Sequence, residues 1–281
     1  MTIREALRSA AARLELHHVS NNRLTSELLI AHALSVSREY LYSHDDRILA
    51  EDELQKIEDL LYDRIGGVPL QYIVGRQEFW GRYFTVNPSV LIPRPETEYI
   101  VEVVLEKRQP QKSQALLDVG TGSGCIAVTL ALEMSGATVF AADISEAAVR
   151  VARQNATTLG AHVNFVCMDV LDALSGHFDF IVSNPPYVRR DDITRLQREV
   201  REHEPHVALF SPEDELAIYR RLVTGAEQIL NSGGYLVMEI GLGMDEKVME
   251  LFGPGWQTLP TKTDLQGIPR TVIGQRSHTS I

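Results

Sequence analysis

The sequence predicts an α/β protein: a mostly parallel, doubly wound sheet preceded by a small helical domain and a β-hairpin connector. Apolar residues recur at helical spacing through the first 66 or so residues. An aromatic, β-branched stretch broken by glycine and proline follows. From there short, continuously apolar strand patterns alternate with helical ones, and strands apolar on both sides require cover on both sides. The expected division is a helical domain over 1–68, a connector over 69–95 and the α/β domain over 96–281.

Taken in order, Ile3, Ala6, Leu7, Ala10 and Leu14 mark a first helix. Leu24, Leu28, Leu29, Ala31 and His32 mark a second, with Thr25 or Ser26 as its cap and the polar run HHVSNN as a linker. A third, near 51–65, puts Leu54, Ile57, Leu60 and Leu61 on one face and stops at Gly66-Gly67. In YIVGRQEFWGRYFTVNPSVLIPRPETE, Gly75, Gly81 and Pro88 break the pattern into a hairpin, and Pro95 suits the first turn of the helix that follows. Five strands are predicted at 115–120, 137–144, 162–170, 178–186 and 234–241, with a helix at 145–159. The segment WQTLPTKTDLQGIPRTVIGQR reads as two more strands joined by a turn, an antiparallel addition to the sheet edge.

Hydrophobic residues at 44% and charged residues at 23% are ordinary globular values, which disfavours disordered and fibrous classes. Apolar runs fall well short of the ~20 residues that span a bilayer, so no membrane partner is expected. Charges at Arg4, Glu5, Arg8 and Arg13 argue against a signal peptide, and two cysteines, Cys125 and Cys167, fit a reducing compartment; a cytoplasmic enzyme is expected. The 27 Lys and Arg against 38 Asp and Glu leave a formal net charge of −11, opposite to the basic footprint of general nucleic-acid binding. His203 and His206 lack companion ligands, so no metal is expected.

The predicted strand at 115–120 runs into Gly120-Thr121-Gly122-Ser123-Gly124, where glycines allow a tight turn and a close ligand approach. Such a turn after the first strand of an open sheet is where nucleotides bind, although a bare βα turn needs no ligand. A dinucleotide fingerprint fails because Cys125 stands where its last glycine belongs. Asp143 ends the next strand, where a carboxylate can accept both hydroxyls of a ribose or cap the following helix.

The sharpest signal is Asn184-Pro185-Pro186-Tyr187 at the end of the fourth strand. Proline holds Asn184 extended and removes N–H donors, leaving the asparagine oxygen and the Pro185 carbonyl as two acceptors for one –NH2 group. Tyr187 offers a wall for a flat group. The chemistry implied is attack by a planar nitrogen, on adenine, cytosine or a carboxamide, whose lone pair must be aimed at an electrophile.

The G-x-G-x-G turn resembles the cofactor loop of class I methyltransferases. With SELLIAHAL, PLQYIVGRQEFWG, LIPRPETE, DVGTGSG, SNPPY and EPHVAL together, the chain resembles over nearly its whole length the HemK/PrmC family of release factor glutamine methyltransferases. The resemblance implies a class I, Rossmann-like, seven-stranded sheet and S-adenosylmethionine held by Gly120 to Gly124, Asp143, Asp169, Val170 and Asn184. It implies that Asn184 and Pro185, flanked by Pro186 and Tyr187, hold the glutamine of a release factor's Gly-Gly-Gln loop. The helical domain would help receive that partner; a monomer without direct nucleic-acid contact is expected. Arg94 and Glu96 either shape the site entrance or form a salt-bridged helix start. The chain departs from the family in SPEDELAIYRR, which lacks a glycine-rich start, and in EIGLGMDE, which lacks a glutamine. Arg189, Arg190, Arg195, Arg198 and Arg201, interleaved with acids, read as a solvated helix face or a docking patch. Because NPPY also serves amino methylation of nucleic acids, another protein glutamine or a nucleobase remains an alternative substrate.

Overall fold

The computed structural model describes residues 1–172, 176–211 and 214–277. The chain forms two compact units: Met1–Arg76 with Gln197–His203, and Gln77–Leu196 with Glu204–Ile281.

The first unit comprises α1 (Ile3–Leu16), α2 (Asn22–Leu34), α3 (Arg38–Ser43), α4 (Glu51–Gly66) and α5 (Leu70–Val74). A capping box starts α1: Thr2 Oγ1 accepts from Glu5 N, and the Glu5 carboxylate accepts from Thr2 N at 2.8 Å. Ile3, Leu14, Leu29, Ile30, Leu41 and Leu61 meet in its core. Contrary to the sequence expectation, α2 begins at Asn22, so Thr25 and Ser26 lie inside the helix and do not cap it. Both are buried, and Ser26 Oγ donates to the Arg23 carbonyl, the local bond open to a helical serine. The buried face of α2 therefore runs through Thr25, Ser26, Leu29 and Ile30, whereas Leu24 and His32 are exposed. Glu27 is buried on the same helix; burial alone would raise its pKa, but hydrogen bonds from Tyr42 and Arg38 outweigh it and keep the carboxylate below its ordinary range. The segment 70–74 is one helical turn, not strand: Pro69 sets its start and left-handed Gly75 its end. Residues 197–203 join this unit through Arg64–Glu199 at 2.7 Å and Arg198 donating to the Gly66 carbonyl.

A hairpin follows, of β1 (Arg76–Phe79), whose first residue is the last of the first unit's opening stretch, and β2 (Arg82–Thr85), joined by Trp80 and Gly81. Both joining residues have positive φ, 53° and 68°, the combination that matches the twist of a two-residue hairpin. A 3-10 turn, Pro95–Thr97, leads into α6 (Glu98–Lys107), where proline occupies the predicted first turn. Then follow β3 (Ala115–Val119), α7 (Cys125–Glu133), β4 (Thr138–Asp143), α8 (Glu146–Leu159), β5 (Asn164–Cys167) and β6 (Phe178–Ser183). After α9 (Arg198–His203, in the first unit) come α10 (His206–Leu209), α11 (Ala217–Ile229), β7 (Leu230–Glu239), α12 (Asp245–Met249), β8 (Trp256–Thr263) and β9 (Pro269–Arg276).

Among the described residues the sheet has seven strands in the order β5-β4-β3-β6-β7-β9-β8. Strands β3 to β7 pair in parallel, and β9 pairs antiparallel with both β7 and β8, the addition the last segment predicts. Alternate residues feed two cores: Leu116, Phe180 and Val182 on one face, and Leu117, Val119 and Ile181 on the other. The strand order reverses between β3 and β6, the switch point beside which open α/β sheets bind ligands.

Gly124, which caps α7, has φ 80° and lies against α8, where an added Cβ would stand 3.0 Å from Ala152 Cβ and 3.2 Å from Ala152 Cα. Neither the backbone angle nor the contact with a helix backbone can relax cheaply. Gly124→Ala should lower unfolding stability by about 1–3 kcal/mol, read as an earlier urea midpoint with unchanged slope. An unshifted midpoint would show that α7 and α8 are free to part.

Candidate active site

Parallel pairing aligns Val119 with Ser183, so β3 and β6 end level and release their loops side by side. Ser183 Oγ donates to the Val119 carbonyl at 2.8 Å and ties the two ends together. The glycine turn leaves one strand and Asn184 leaves the other, above a cavity of about 500 Å³. Gly120, Thr121, Gly122, Ser123, Asp143, Asp169, Val170, Asn184, Pro185 and Pro186 line it. Gly124 and Tyr187, expected at the site, are not part of this lining. Gly124 caps α7, and the Tyr187 ring lies 3.0 Å from the place of a Cβ on Gly241.

The turn is held from below. Gly120 N and Thr121 N both donate to the Ala142 carbonyl, at 2.8 and 2.9 Å. Gly122 N donates to Asp143 Oδ2 at 2.8 Å, and Asp143 Oδ1 accepts from Ser145 N at 2.9 Å. The cap of α8 is Ser145, so Asp143 is not the cap residue. Its carboxylate bridges two loops and keeps lone pairs to spare at the cavity, since each oxygen accepts more than one bond. Burial raises its pKa, and the backbone hydrogen bonds from Ser145 and Gly122 oppose that rise.

Asp118 is fully buried at the end of β3, where Oδ2 accepts from Thr121 Oγ1 at 2.7 Å and from Ala127 N at 3.2 Å. Burial pushes it up to about 7 against those bonds. It supports the turn from within the sheet and was not singled out by the sequence patterns, although a carboxylate inside a strand buried on both faces is itself a signal. Asp169 reaches the cavity, but its carboxylate is paired with Arg221 at 3.0 Å. Val170 has φ 49°, a costly conformation for a β-branched residue that is characteristic of ligand-facing loops.

On the NPPY side, Asn184 Nδ2 donates to Thr97 Oγ1 at 3.0 Å, and Thr97 Oγ1 donates to Glu239 Oε2 at 2.6 Å. Arg94 lines the cavity while bound to buried Glu204 at 2.5 Å; Glu96 faces Arg270 at 3.9 Å. Cys125 also lines the cavity, but burial pushes its thiol up to about 12, so it offers no thiolate near neutrality. Among the described residues no group of three or more His, Cys, Asp or Glu is placed to hold a metal ion, and no helix is long and apolar enough to cross a membrane. Arg195 pairs with Asp192, and Arg198 and Arg201 pair with Glu202, so much of the arginine stretch is locally neutralised. Of the departing segment 211–220, Pro212 and Glu213 lie outside the described residues.

Sequence profiles of the PrmC N-terminal domain and the methyltransferase small domain match residues 5–75 and 97–202. A release factor glutamine methyltransferase of Koribacter versatilis is 43% identical over 98% of this chain and 99% of its own length. The chain belongs to the release factor glutamine methyltransferase family. A second member, from Geobacter sulfurreducens, is 42% identical over 98% of this chain and 96% of its own. The crystal structure of a methyltransferase from Pyrococcus furiosus shares the fold, with a TM-score of 0.52 at 18% identity over 71% of this chain and 91% of that one. Membership makes the protein an S-adenosylmethionine-dependent enzyme with a class I methyltransferase fold.

Asp118 and Glu239, both pushed up to about 7 by burial, stay protonated in the folded protein at pH values where the unfolded chain has released those protons. The folded state then binds more protons between about pH 4 and pH 7, so stability falls as pH rises through that window and levels off above it. Asp118→Asn keeps both acceptor bonds and removes one titration. Its urea midpoint should change less than that of the parent between about pH 5 and about pH 8; parallel curves would refute the assignment.

Proposed function

We propose that this enzyme transfers a methyl group from S-adenosylmethionine to the side-chain amide nitrogen of the glutamine in the Gly-Gly-Gln motif of peptide chain release factors. The observation carrying this reading is the level emergence of the glycine turn and Asn184-Pro185 at one cavity, in a chain related over 98% of its length to enzymes named for that substrate.

The residues suit the cofactor. Gly120 and Gly122, with φ 72° and 55°, line the cavity, and among the described residues an added Cβ on either would meet nothing within 4 Å beyond its chain neighbours. Buried Ser123 also lines it, its hydroxyl beside the Cys125 thiol and without an oxygen or nitrogen partner among the described residues. These groups and the Asp143 carboxylate would hold the cofactor, with Asp169, Val170 and Asn184 completing the contacts. When bound, the sulfonium supplies a methyl group already activated for displacement, so the protein needs no strong base.

What the protein must supply is orientation. An amide nitrogen is a poor nucleophile because its lone pair is delocalised into the carbonyl. Asn184 Oδ1 and the Pro185 carbonyl accept the two N–H bonds of the glutamine, aim the lone pair across the cavity and stabilise the positive charge that grows on nitrogen. The first unit, rich in exposed charge, would help receive the release factor.

Incubation with cofactor and release factor should add one methyl to that glutamine; a release factor of unchanged mass beside a cofactor-competent enzyme would overturn the assignment. Ribosomal protein and nucleic acid offered in parallel identify any other acceptor. Asn184→Ala should cut turnover by about 10²–10³-fold with cofactor affinity largely kept. Asp143→Ala should instead weaken cofactor binding by about 10–100-fold in calorimetry, as loss of a charge-assisted hydrogen bond implies.

A further inference from the structure

An asparagine side chain can present either end to a substrate, because its oxygen and its NH2 group occupy nearly the same space. Only one end is useful here: the oxygen must meet the N–H bonds of the incoming amide. Asn184 Nδ2 stands 3.0 Å from Thr97 Oγ1, which stands 2.6 Å from Glu239 Oε2. Thr97 and Glu239 are both buried. A threonine hydroxyl carries one proton. When that proton goes to an ionised carboxylate, which only accepts, the hydroxyl has only lone pairs left for Asn184. Thr97 can then be approached only by the NH2 end, and among the described residues no group donates to Asn184 Oδ1.

We propose that Thr97 and Glu239 are positioning residues that hold the Asn184 carboxamide with its oxygen toward the substrate nitrogen. This rests on the methyl-transfer reading above and extends it to a relay drawn from three separate segments of the chain. Glu239, on β7, faces Arg270 from β9, Arg94 before the 3-10 turn and Glu96 within it, Cys125 on α7, Tyr187 after β6 and Tyr219 on α11, whose hydroxyl donates to the Glu239 backbone carbonyl at 2.8 Å. Burial raises Glu239 to about 7, opposed by its bond from Thr97 and reinforced by Glu96. Below that pH a protonated Glu239 donates to Thr97, the threonine proton is released toward Asn184, and the carboxamide is free to turn over.

The test compares Thr97→Val, Thr97→Ser and Glu239→Gln in full-length enzyme. Thr97→Val should lower kcat by about 10–100-fold while KM and the calorimetric cofactor Kd stay within about twofold, and Thr97→Ser should restore most of the rate. A valine variant with parental turnover, or a folded serine variant as slow as valine, would overturn the proposal. Should Thr97→Val fail to fold, Glu239→Gln decides: the acid limb of kcat near pH 7 should vanish, and a limb that persists refutes the relay. Nitrogen-15 NMR of the cofactor-free protein gives a readout independent of substrate. The Asn184 side-chain NH2 signal, identified by its loss in Asn184→Ala, should shift with pH around 7 in the parent and stay fixed in Glu239→Gln. If that signal behaves so while no release factor is methylated, the substrate reading fails and the relay stands; a signal insensitive to both pH and the Gln substitution sinks the relay alone.

Discussion

The parallel register of β3 with β6 is the constraint on which the site depends. Leu116, Leu117, Asp118 and Val119 pair in step with Phe180, Ile181, Val182 and Ser183, so the glycine turn and the NPPY loop leave the sheet at one level. A slip of two residues would keep every side chain on its proper face yet carry Asn184 about 6.6 Å along the strand, out of reach of a group seated on the glycine turn. The bond from Ser183 Oγ to the Val119 carbonyl stands at the last pair of the ladder, where such a slip would cost most. On the other side, the Ala142 carbonyl takes the first two N–H groups of the turn and extends the same alignment to β4.

Burial of carboxylates is the second theme. Asp118 and Glu239 interrupt strands whose neighbours are apolar, and each would cost several kcal/mol if left unbonded. Each is instead bound to a threonine outside its strand: Asp118 to Thr121 in the glycine turn and Glu239 to Thr97 at the end of the 3-10 turn. The two pairs have the same logic, an acid inside the sheet fixing a hydroxyl at its rim. One pair steadies the glycine turn and the other the Asn184 side of the cavity.

The fold was legible because its strands are buried on both faces and announce themselves as apolar runs, and because NPPY and the glycine turn are local in sequence. What escaped was decided by tertiary context. Thr25 and Ser26 look like caps to any reading of spacing, but the core of the helical unit takes them in. The turn at 70–74 is too short for periodicity to separate it from a strand. The bond between Thr97 and Glu239 joins residues 142 positions apart, and nothing at either end alone points to the other. Asp143 was legible as an acid at a strand end; its grip on Gly122 N was not, since a backbone partner leaves no trace in residue type.

The packing of Tyr187 against Gly241 bears on how such a sequence can drift. A side chain at 241 would have to share space with the tyrosine ring and with Met244 Sδ, which lies 2.9 Å from the same point. Positions 187 and 241, distant along the chain and on different strand ends, are therefore not independent variables. A smaller residue at 187 opens room at 241, and a larger one at 241 demands retreat of the tyrosine ring and of Met244 together. Among descendants of this protein, a larger residue at 241 should be found accompanied by a smaller one at 187 or at 244, a historical record of one crowded contact.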